Sequence, residues 1–246
     1  IYDSDGSEGG ASGSDGSDGS HGSVGPISVT GLSVETIRAN WGPAVVLFLF
    51  ALAILLGYAF IPAVHDALEY VSGWKQQYGY LYAAISTAIF IGVIPLLIDQ
   101  LKPRDHEPLT WASFAFFTLF WLVKGVEVDA LYRLQAHVFG HNASLGVVVC
   151  KVLVDQLIYV PLYAIPMLVF FYQWEESGFR WRRVWADIDR TWYRRKVAPT
   201  QITNWIIWVP AVPLIYLLPT PLQLPLQNIV GCFFALLMLF ITRHTR

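Results

Sequence analysis

Charged side chains are scarce in this sequence. They make up 14% of the 246 residues, whereas apolar residues make up 55% and the mean hydropathy is +0.48. Soluble domains hold about 25% charged residues, so this chain carries more apolar surface than a globular core buries. The net charge of -2 and the lack of a basic domain argue against nucleic acid as a partner. The composition indicates that the main partner is a lipid bilayer.

Cysteine is nearly absent, and so are the short motifs of catalysis. Cys150 and Cys232 lie in apolar runs, where a thiol acts as a small hydrophobe rather than as half of a disulfide framework. The sequence has no CxxC pair, nucleophile elbow or phosphate-cradling glycine loop. His137 and His141 have the i, i+4 spacing of helical metal sites, but Gly140 lies between them and no third ligand is near in sequence. We therefore predict no enzyme activity, no cofactor and no metal.

Few apolar residues occur near the start of the chain. Residues 1–26 are mainly glycine, serine and aspartate. Such a segment buries too little surface to offset the entropy lost on ordering. We predict a disordered acidic tail over residues 1–36, with partner binding as its alternative role, and a helical membrane domain over residues 37–246.

Long apolar runs dominate the membrane domain. Residues 42–61 include no charged residue, and a helix of this length, rising about 1.5 Å per residue, spans the roughly 30 Å of the hydrocarbon core. Five similar runs follow, at 78–98, 109–123, 145–171, 202–218 and 224–241. The third run is short unless it continues toward Ala130, and the last two could form one kinked segment. The predicted fold is an all-α integral membrane protein with a bundle of about six (five to six) transmembrane helices.

The basic residues favour six spans with the amino terminus inside. Twelve of the 16 lysines and arginines then fall on the inner side. Three fall in outer loops, namely Lys75, Lys124 and Arg133, while Lys151 lies within a run. This asymmetry fits the positive-inside rule.

An amphipathic pattern occupies residues 178–196. Apolar residues recur there at spacings of three and four and so share one helix face, while the arginines lie mostly elsewhere. The pattern predicts a helix in the plane of the membrane interface or, alternatively, a solvated helix packed on the protein. The predicted lipid contacts are Trp181, Trp185, Trp192, Arg182, Arg183 and Arg194.

Two polar residues interrupt the fourth run. Lys151 and Asp155 are four apart, so on an α-helix they share a face and can pair. A charge at the bilayer centre costs about 2.5–3.5 kcal/mol on the insertion scale, so both should face the bundle interior. With Gln156 beside them, they either line a pore or a proton path, or serve only structure, with Asp155 neutralising Lys151 and Gln156 bonding a neighbouring helix. Asp99 and Asp129 could converge on the same polar cluster, although capping at the interface is the default explanation for Asp99.

Two blocks of sequence resemble a known family. Lys151, Asp155 and Gln156 are followed by Pro161, and Asn204-Trp205 are followed by Trp208 and Pro210, with nine residues from Pro219 to Asn228. Over residues 78–242 the chain resembles the small organellar membrane proteins that include the twenty-two-kilodalton peroxisomal membrane protein and Mpv-seventeen. It departs from that pattern at Val209, which is an extra residue, and at Gln223, where the family usually has arginine.

The resemblance implies a channel-like protein of an organelle membrane (peroxisome, mitochondrion or plastid), or of a bacterial inner membrane for a divergent relative. We therefore expect a pore or a permeability modulator. The alternative is a non-catalytic structural subunit that scaffolds a larger membrane complex, because of the acidic tail and the additional first span. Expected partners are the bilayer and either such a complex or further copies of the chain.

Overall fold

The computed structural model describes the backbone of residues 29–100 and 109–244, and the side chains of residues 41–98, 100 and 109–236. These residues are helical apart from short connections, which confirms the all-α prediction. The α-helices are α1 (Val29–Phe60), α2 (Pro62–Thr87), α3 (Ile94–Gln100), α4 (Trp111–Phe139), α5 (Leu145–Val154), α6 (Ile165–Glu176), α7 (Trp181–Asp187), α8 (Ala198–Leu217) and α9 (Thr220–His244). Three π-helical segments extend them, namely π1 (Ala88–Val93), π2 (Asp155–Ala164) and π3 (Tyr193–Val197).

The first helix begins earlier than the sequence suggested. Residues 29–36, predicted as the end of the tail, belong to α1. The rest of the predicted tail, residues 1–28, lies outside the described residues.

In the part of the chain that the structure describes, three helical stretches are long and apolar enough to cross a membrane, namely Trp41–Phe60, Pro62–Ile98 and Leu145–Glu176. Large apolar side chains on these stretches point away from the protein, including Leu49, Leu81 and Leu162. Soluble monomers rarely expose contiguous apolar patches of this kind. The structure is thus compatible with an integral membrane protein.

The helix α4 is longer than the third apolar run. It begins after Thr110, whose side chain accepts a hydrogen bond from the Ser113 amide, and it ends at Gly140, which has a φ of 100°. The predicted run therefore continues past Ala130, and α4 carries Lys124, Glu127, Asp129 and Arg133 within one helix.

A kink divides α2. Gly79 has a φ of 53° and a ψ of -120°, a conformation that side-chain-bearing residues rarely adopt. The Lys75 ammonium group donates a hydrogen bond of 3.3 Å to the Gly79 carbonyl at the kink. Lys75 was predicted for an outer loop, but it lies inside a helix and is almost fully buried.

The helices α8 and α9 form an antiparallel hairpin. Leu218 is extended between them, and Gly231 of α9 lies beside Trp208 of α8, each about three turns from the reversal. The alternative of one long kinked segment is therefore wrong. Pro210 and Pro213 lie inside α8, and Pro225 lies inside α9.

Small and polar residues join the helices closely. The helix α2 packs against both α4 and α9. At the first contact Gly125 of α4 lies against Thr87, and a Cβ atom on Gly125 would be 2.7 Å from the Thr87 hydroxyl oxygen. At the second, Asn228 of α9 accepts a 3.0 Å hydrogen bond from Thr87 and donates one of the same length to Ser86. Interhelical hydrogen bonds and small residues are typical of helix packing in membranes.

Candidate functional site

A cavity of about 570 Å³ lies within the helix bundle. Its walls come from α4, π2, α6, α8 and α9, with a further contribution from π1 and α3. Most of the wall is apolar or aromatic, and the polar side chains that face the cavity include Lys124, Tyr132, Asp155, Gln156, Tyr159, Asn204 and Gln227. Cavities of about 300–1,000 Å³ with few polar groups are typical of small-molecule sites.

The first polar group centres on Lys124. Its ammonium nitrogen lies 2.5 Å from a carboxylate oxygen of Glu127, one helical turn later, and 3.3 Å from the hydroxyl of Tyr159 on π2. Tyr159 donates a hydrogen bond to Glu127, and Tyr163 donates a second one of 3.3 Å. The charge of this buried lysine is therefore compensated, as the apolar surroundings require.

The second polar group centres on Asp155. Its carboxylate accepts a 3.1 Å hydrogen bond from the Tyr216 hydroxyl on α8. The Tyr216 ring packs edge-on against Tyr132 of α4, and the Tyr132 hydroxyl donates to Gln227 of α9. This arrangement ties π2, α4, α8 and α9 together around one side of the cavity.

Two side-chain atoms at the cavity have no hydrogen-bond partner among the described residues. They are the amide oxygen of Gln156, an acceptor, and the amide nitrogen of Asn204, a donor. Trp205, which follows Asn204 in the chain, donates a 2.9 Å hydrogen bond from its indole to the backbone carbonyl of Gln156, so π2 and α8 are in contact next to these two residues. Buried polar atoms without partners are rare in proteins.

The Trp205 bond has a local cause in the chain. In a π-helix the carbonyl of Gln156 would accept from the amide five residues later, and that residue is Pro161, which has no N–H. The indole replaces the missing donor. The carbonyl of Pro161 accepts a 2.9 Å hydrogen bond from Tyr193 of π3.

The predicted pairing of Lys151 with Asp155 is wrong. Both side chains are buried as expected, but none of the ion pairs formed by the described residues joins them. The backbone between them is α-helical, since the Asp155 amide bonds the Lys151 carbonyl, so the spacing assumed for the pair is correct; the Asp155 carboxylate bonds Tyr216 of α8 instead. Asp155 faces Tyr216 and the cavity, and Lys151 is not part of the cavity wall.

Asp129 takes part in a separate ionic cluster. Its two carboxylate oxygens lie 2.8 Å from the Lys75 ammonium and 2.9 Å from the Arg133 guanidinium. The Lys75 and Asp129 side chains are only 2% and 4% exposed, whereas Arg133 is 46% exposed and packs over Tyr80. Of the residues predicted to converge whose side chains the structure describes, Asp155 and Gln156 line the cavity, whereas Lys151 and Asp129 do not. Asp99 belongs to α3, but its side chain lies outside the described residues.

The single helix predicted over residues 178–196 is also wrong. The helix α7 ends at Asp187, and Ile188 is extended. Asp189 accepts hydrogen bonds of 2.8 Å from the amide and the hydroxyl of Thr191, and such local side-chain bonds compete with helix formation. These bonds hold the pKa of the Asp189 carboxyl below its ordinary value.

The three tryptophans predicted to share one helix face therefore do not do so. Trp181 and Trp185 of α7 are exposed, while Trp192 is half-buried and donates a 3.0 Å hydrogen bond to Gln173 of α6. The three arginines are exposed on α7 and π3, namely Arg182, Arg183 and Arg194. Contact of these residues with lipid stays a prediction.

The two histidines do not form a helical pair. The helix α4 ends at Gly140, between His137 and His141, and His141 lies 3.4 Å from Thr220 instead. Among the side chains that the structure describes, at residues 41–98, 100 and 109–236, no group of three or more histidine, cysteine, aspartate or glutamate residues is placed to hold a metal ion.

Several residues at the cavity were not predicted from the sequence. Lys124 was assigned to an outer loop, and Glu127, Tyr159 and Tyr216 were not considered. A signal was present for Lys124 and Glu127, because they are three apart with apolar residues on both sides. On a continuous helix such a pair meets.

The comparisons with known proteins give no relative. No family model, no curated protein and no solved structure matches the chain.

Proposed function

We propose that the chain is a multi-span membrane protein that forms a pathway for small solutes and so acts as a pore or a permeability modulator. The observation that supports this proposal is the cavity with Lys124 and Asp155 in its wall. Ionisable side chains inside a membrane bundle are costly and commonly mark the path of a substrate or an ion. The sequence resemblance to the Mpv-seventeen family supports the same class of function.

The proposal includes six membrane spans, formed by α1, by α2 with α3, by α4, by α5 with α6, by α8 and by α9. The segment with α7 and π3 then lies on the inner side, with its exposed arginines near lipid phosphates. Lys75 and Lys124 were counted among the three basic residues of the outer loops, but both are buried within helices. Without them, the excess of basic residues on the inner side over the outer side is larger.

Single-cysteine labelling tests this arrangement. In a background that lacks Cys150 and Cys232, we expect cysteines at Arg183 and Arg246 to react from the same side of sealed vesicles. A cysteine at Asn142, between α4 and α5, should react only from the opposite side. Labelling of Arg183 and Arg246 from opposite sides would contradict six spans.

Solute flux tests the pathway. In liposomes that contain the purified protein, we expect glycerol, glucose, gluconate or choline to leave faster than from empty liposomes. Asp155→Asn keeps an oxygen that can accept from Tyr216 but removes the charge. The variant therefore loses the charge-assisted hydrogen bond that a solute can make with the Asp155 carboxylate. Such a bond to a charged group is worth about 1.5–3 kcal/mol, so the flux should fall by about tenfold or more.

The matched control is Asp189→Asn, because Asp189 is an exposed carboxylate that does not line the cavity. Asparagine can keep the bonds to Thr191, so this variant should conduct like the unchanged protein. Folded protein that conducts none of the four solutes would overturn the pathway. Co-purification of a stable partner complex from mild detergent would then favour the scaffolding alternative.

A further inference from the structure

Asp155 is the only carboxylate among the described residues that line the cavity. The residue is 6% exposed, and its oxygen Oδ2 accepts a 3.1 Å hydrogen bond from the neutral Tyr216 hydroxyl. None of the ion pairs among the described residues includes Asp155. In the part of the chain that the structure describes, its negative charge therefore borders the cavity without a paired cation.

Two buried lysines could offset this charge, and neither is paired with it. The Lys124 ammonium belongs to the cavity wall, but it lies 2.5 Å from Glu127 and so has its own countercharge. Lys151 precedes Asp155 by one helical turn, but it does not line the cavity and joins none of the ion pairs among the described residues. Since Lys124 and Glu127 cancel, Asp155 gives the wall a net negative charge.

The Asp155 carboxylate favours a positively charged ligand. A buried charge in apolar surroundings is costly unless an opposite charge and hydrogen bonds compensate it. A ligand ammonium group supplies both, because its N–H groups donate charge-assisted hydrogen bonds to a carboxylate. A neutral ligand would leave the charge of Asp155 uncompensated, and an anion would be repelled.

The rest of the wall favours an organic cation over a metal ion. Ca²⁺ and Mg²⁺ take about six or more oxygen ligands, and the wall offers one carboxylate. Aromatic rings attract organic cations that lie within about 6 Å of the ring centre. The aromatic side chains of the cavity wall include Phe117, Trp121, Tyr159, Tyr172, Trp208 and Phe234. An amine with an apolar body can therefore pair with Asp155 and fill the same cavity.

We propose that the cavity binds a monovalent organic cation, namely a protonated amine with an apolar body, with its ammonium group at the Asp155 carboxylate and its body against the aromatic wall. This inference rests on the proposed function, because it takes the cavity as the site that solutes enter, and it names their class. The cavity volume of about 570 Å³ is in the range of small-molecule sites.

Equilibrium binding to the full chain in phosphatidylcholine nanodiscs tests the inference. The probe is radiolabelled tryptamine at neutral pH, with binding to empty nanodiscs subtracted. Tryptophol and indolepropionate have the same indole body and ethylene linker, but their head groups are neutral and negative. We expect saturable binding of tryptamine, and competition by each of these two compounds that is weaker than by unlabelled tryptamine by about tenfold or more. Absence of saturable binding, or weaker discrimination than this against tryptophol, would overturn the inference.

A variant locates the bound ammonium group. Asp155→Asn removes the charge but keeps an oxygen that can accept from Tyr216, so tryptamine should bind about tenfold more weakly or less tightly still, while tryptophol should change by about twofold at most. The control is Asp189→Asn, which removes an exposed carboxylate outside the cavity wall and should leave tryptamine binding unchanged. Unchanged tryptamine binding in Asp155→Asn, or an equal loss in the control, would contradict this placement. The competition series uses the unchanged protein and decides the inference even if Asp155→Asn does not fold.

Binding and flux together separate this inference from the proposed pathway. Flux that falls in Asp155→Asn, from a protein that shows no saturable binding of tryptamine, would overturn this inference alone. Saturable binding of tryptamine that depends on Asp155, in a protein that conducts none of the four solutes, would support this inference and overturn the pathway.

Discussion

Replacing Asp129 by leucine is expected to destabilise the protein by about 3–5 kcal/mol, because it leaves the buried Lys75 ammonium without its partner. Lys75→Met should cost less, since Asp129 keeps the half-exposed Arg133 at 2.9 Å. The double variant Lys75→Met/Asp129→Leu should recover most of the loss, because replacing a buried ion pair by apolar residues is often nearly neutral. Recovery should be incomplete, as the Gly79 carbonyl loses its hydrogen bond from Lys75.

The free energy of unfolding in mixed micelles, measured by titration with a denaturing detergent, checks these values. Arg133→Met is the control, because an exposed ionic contact contributes only about 0–1 kcal/mol. Losses that add in the double variant would show that Lys75 and Asp129 do not stabilise the bundle as a pair.

Replacing Gly125 by alanine is expected to destabilise the protein by about 1–3 kcal/mol, and by valine still more, because added atoms overpack the contact between α4 and α2. The new Cβ would be 2.7 Å from the Thr87 hydroxyl and closer still to the backbone carbonyl of Ala83. Neither neighbour can withdraw easily, since Thr87 is bonded to Asn228 and the carbonyl belongs to α2.

Gly73→Ala is the matched control, because Gly73 also lies in a helix but has open space at its Cβ position. Alanine in a helix is favoured over glycine, so this change should stabilise the protein by about 0.4–1 kcal/mol. The thermal midpoint in detergent should therefore fall for Gly125→Ala and rise for Gly73→Ala. A rise for both would show that α2 and α4 are not in close contact at Gly125.

The helical class and much of the helix pattern could be predicted from composition and apolar runs. The charged ends of these runs were harder to interpret. Lys75 and Lys124 were assigned to loops because a charge commonly ends a membrane span, yet each has a carboxylate partner, Asp129 and Glu127, that allows burial. The partner of Lys75 is 54 residues away in sequence, and no local pattern identifies it.

The cavity could be predicted only in part. Spacing placed Lys151 and Asp155 on one helix face, and the backbone between them is α-helical as that assumes. The Asp155 carboxylate nevertheless bonds Tyr216 of α8, a partner 61 residues away that no local spacing identifies. Asp155 and Gln156 were nevertheless predicted to face the bundle interior, because burial depends on the cost of placing polar groups in lipid rather than on the helix type. Asn204 lines the cavity and Tyr216 reaches Asp155 through the packing of α8, which local sequence does not specify.

The Trp205 indole can bond the backbone carbonyl of Gln156 because Pro161 has no N–H to occupy that carbonyl. Any other residue at position 161 would supply a backbone donor that competes with the indole for this carbonyl. Pro161 and Trp205 stand in separate blocks of the sequence, yet each has its role only while the other is present. The two positions should therefore be inherited as a unit, so that lineages that lose the proline also become free to lose the tryptophan.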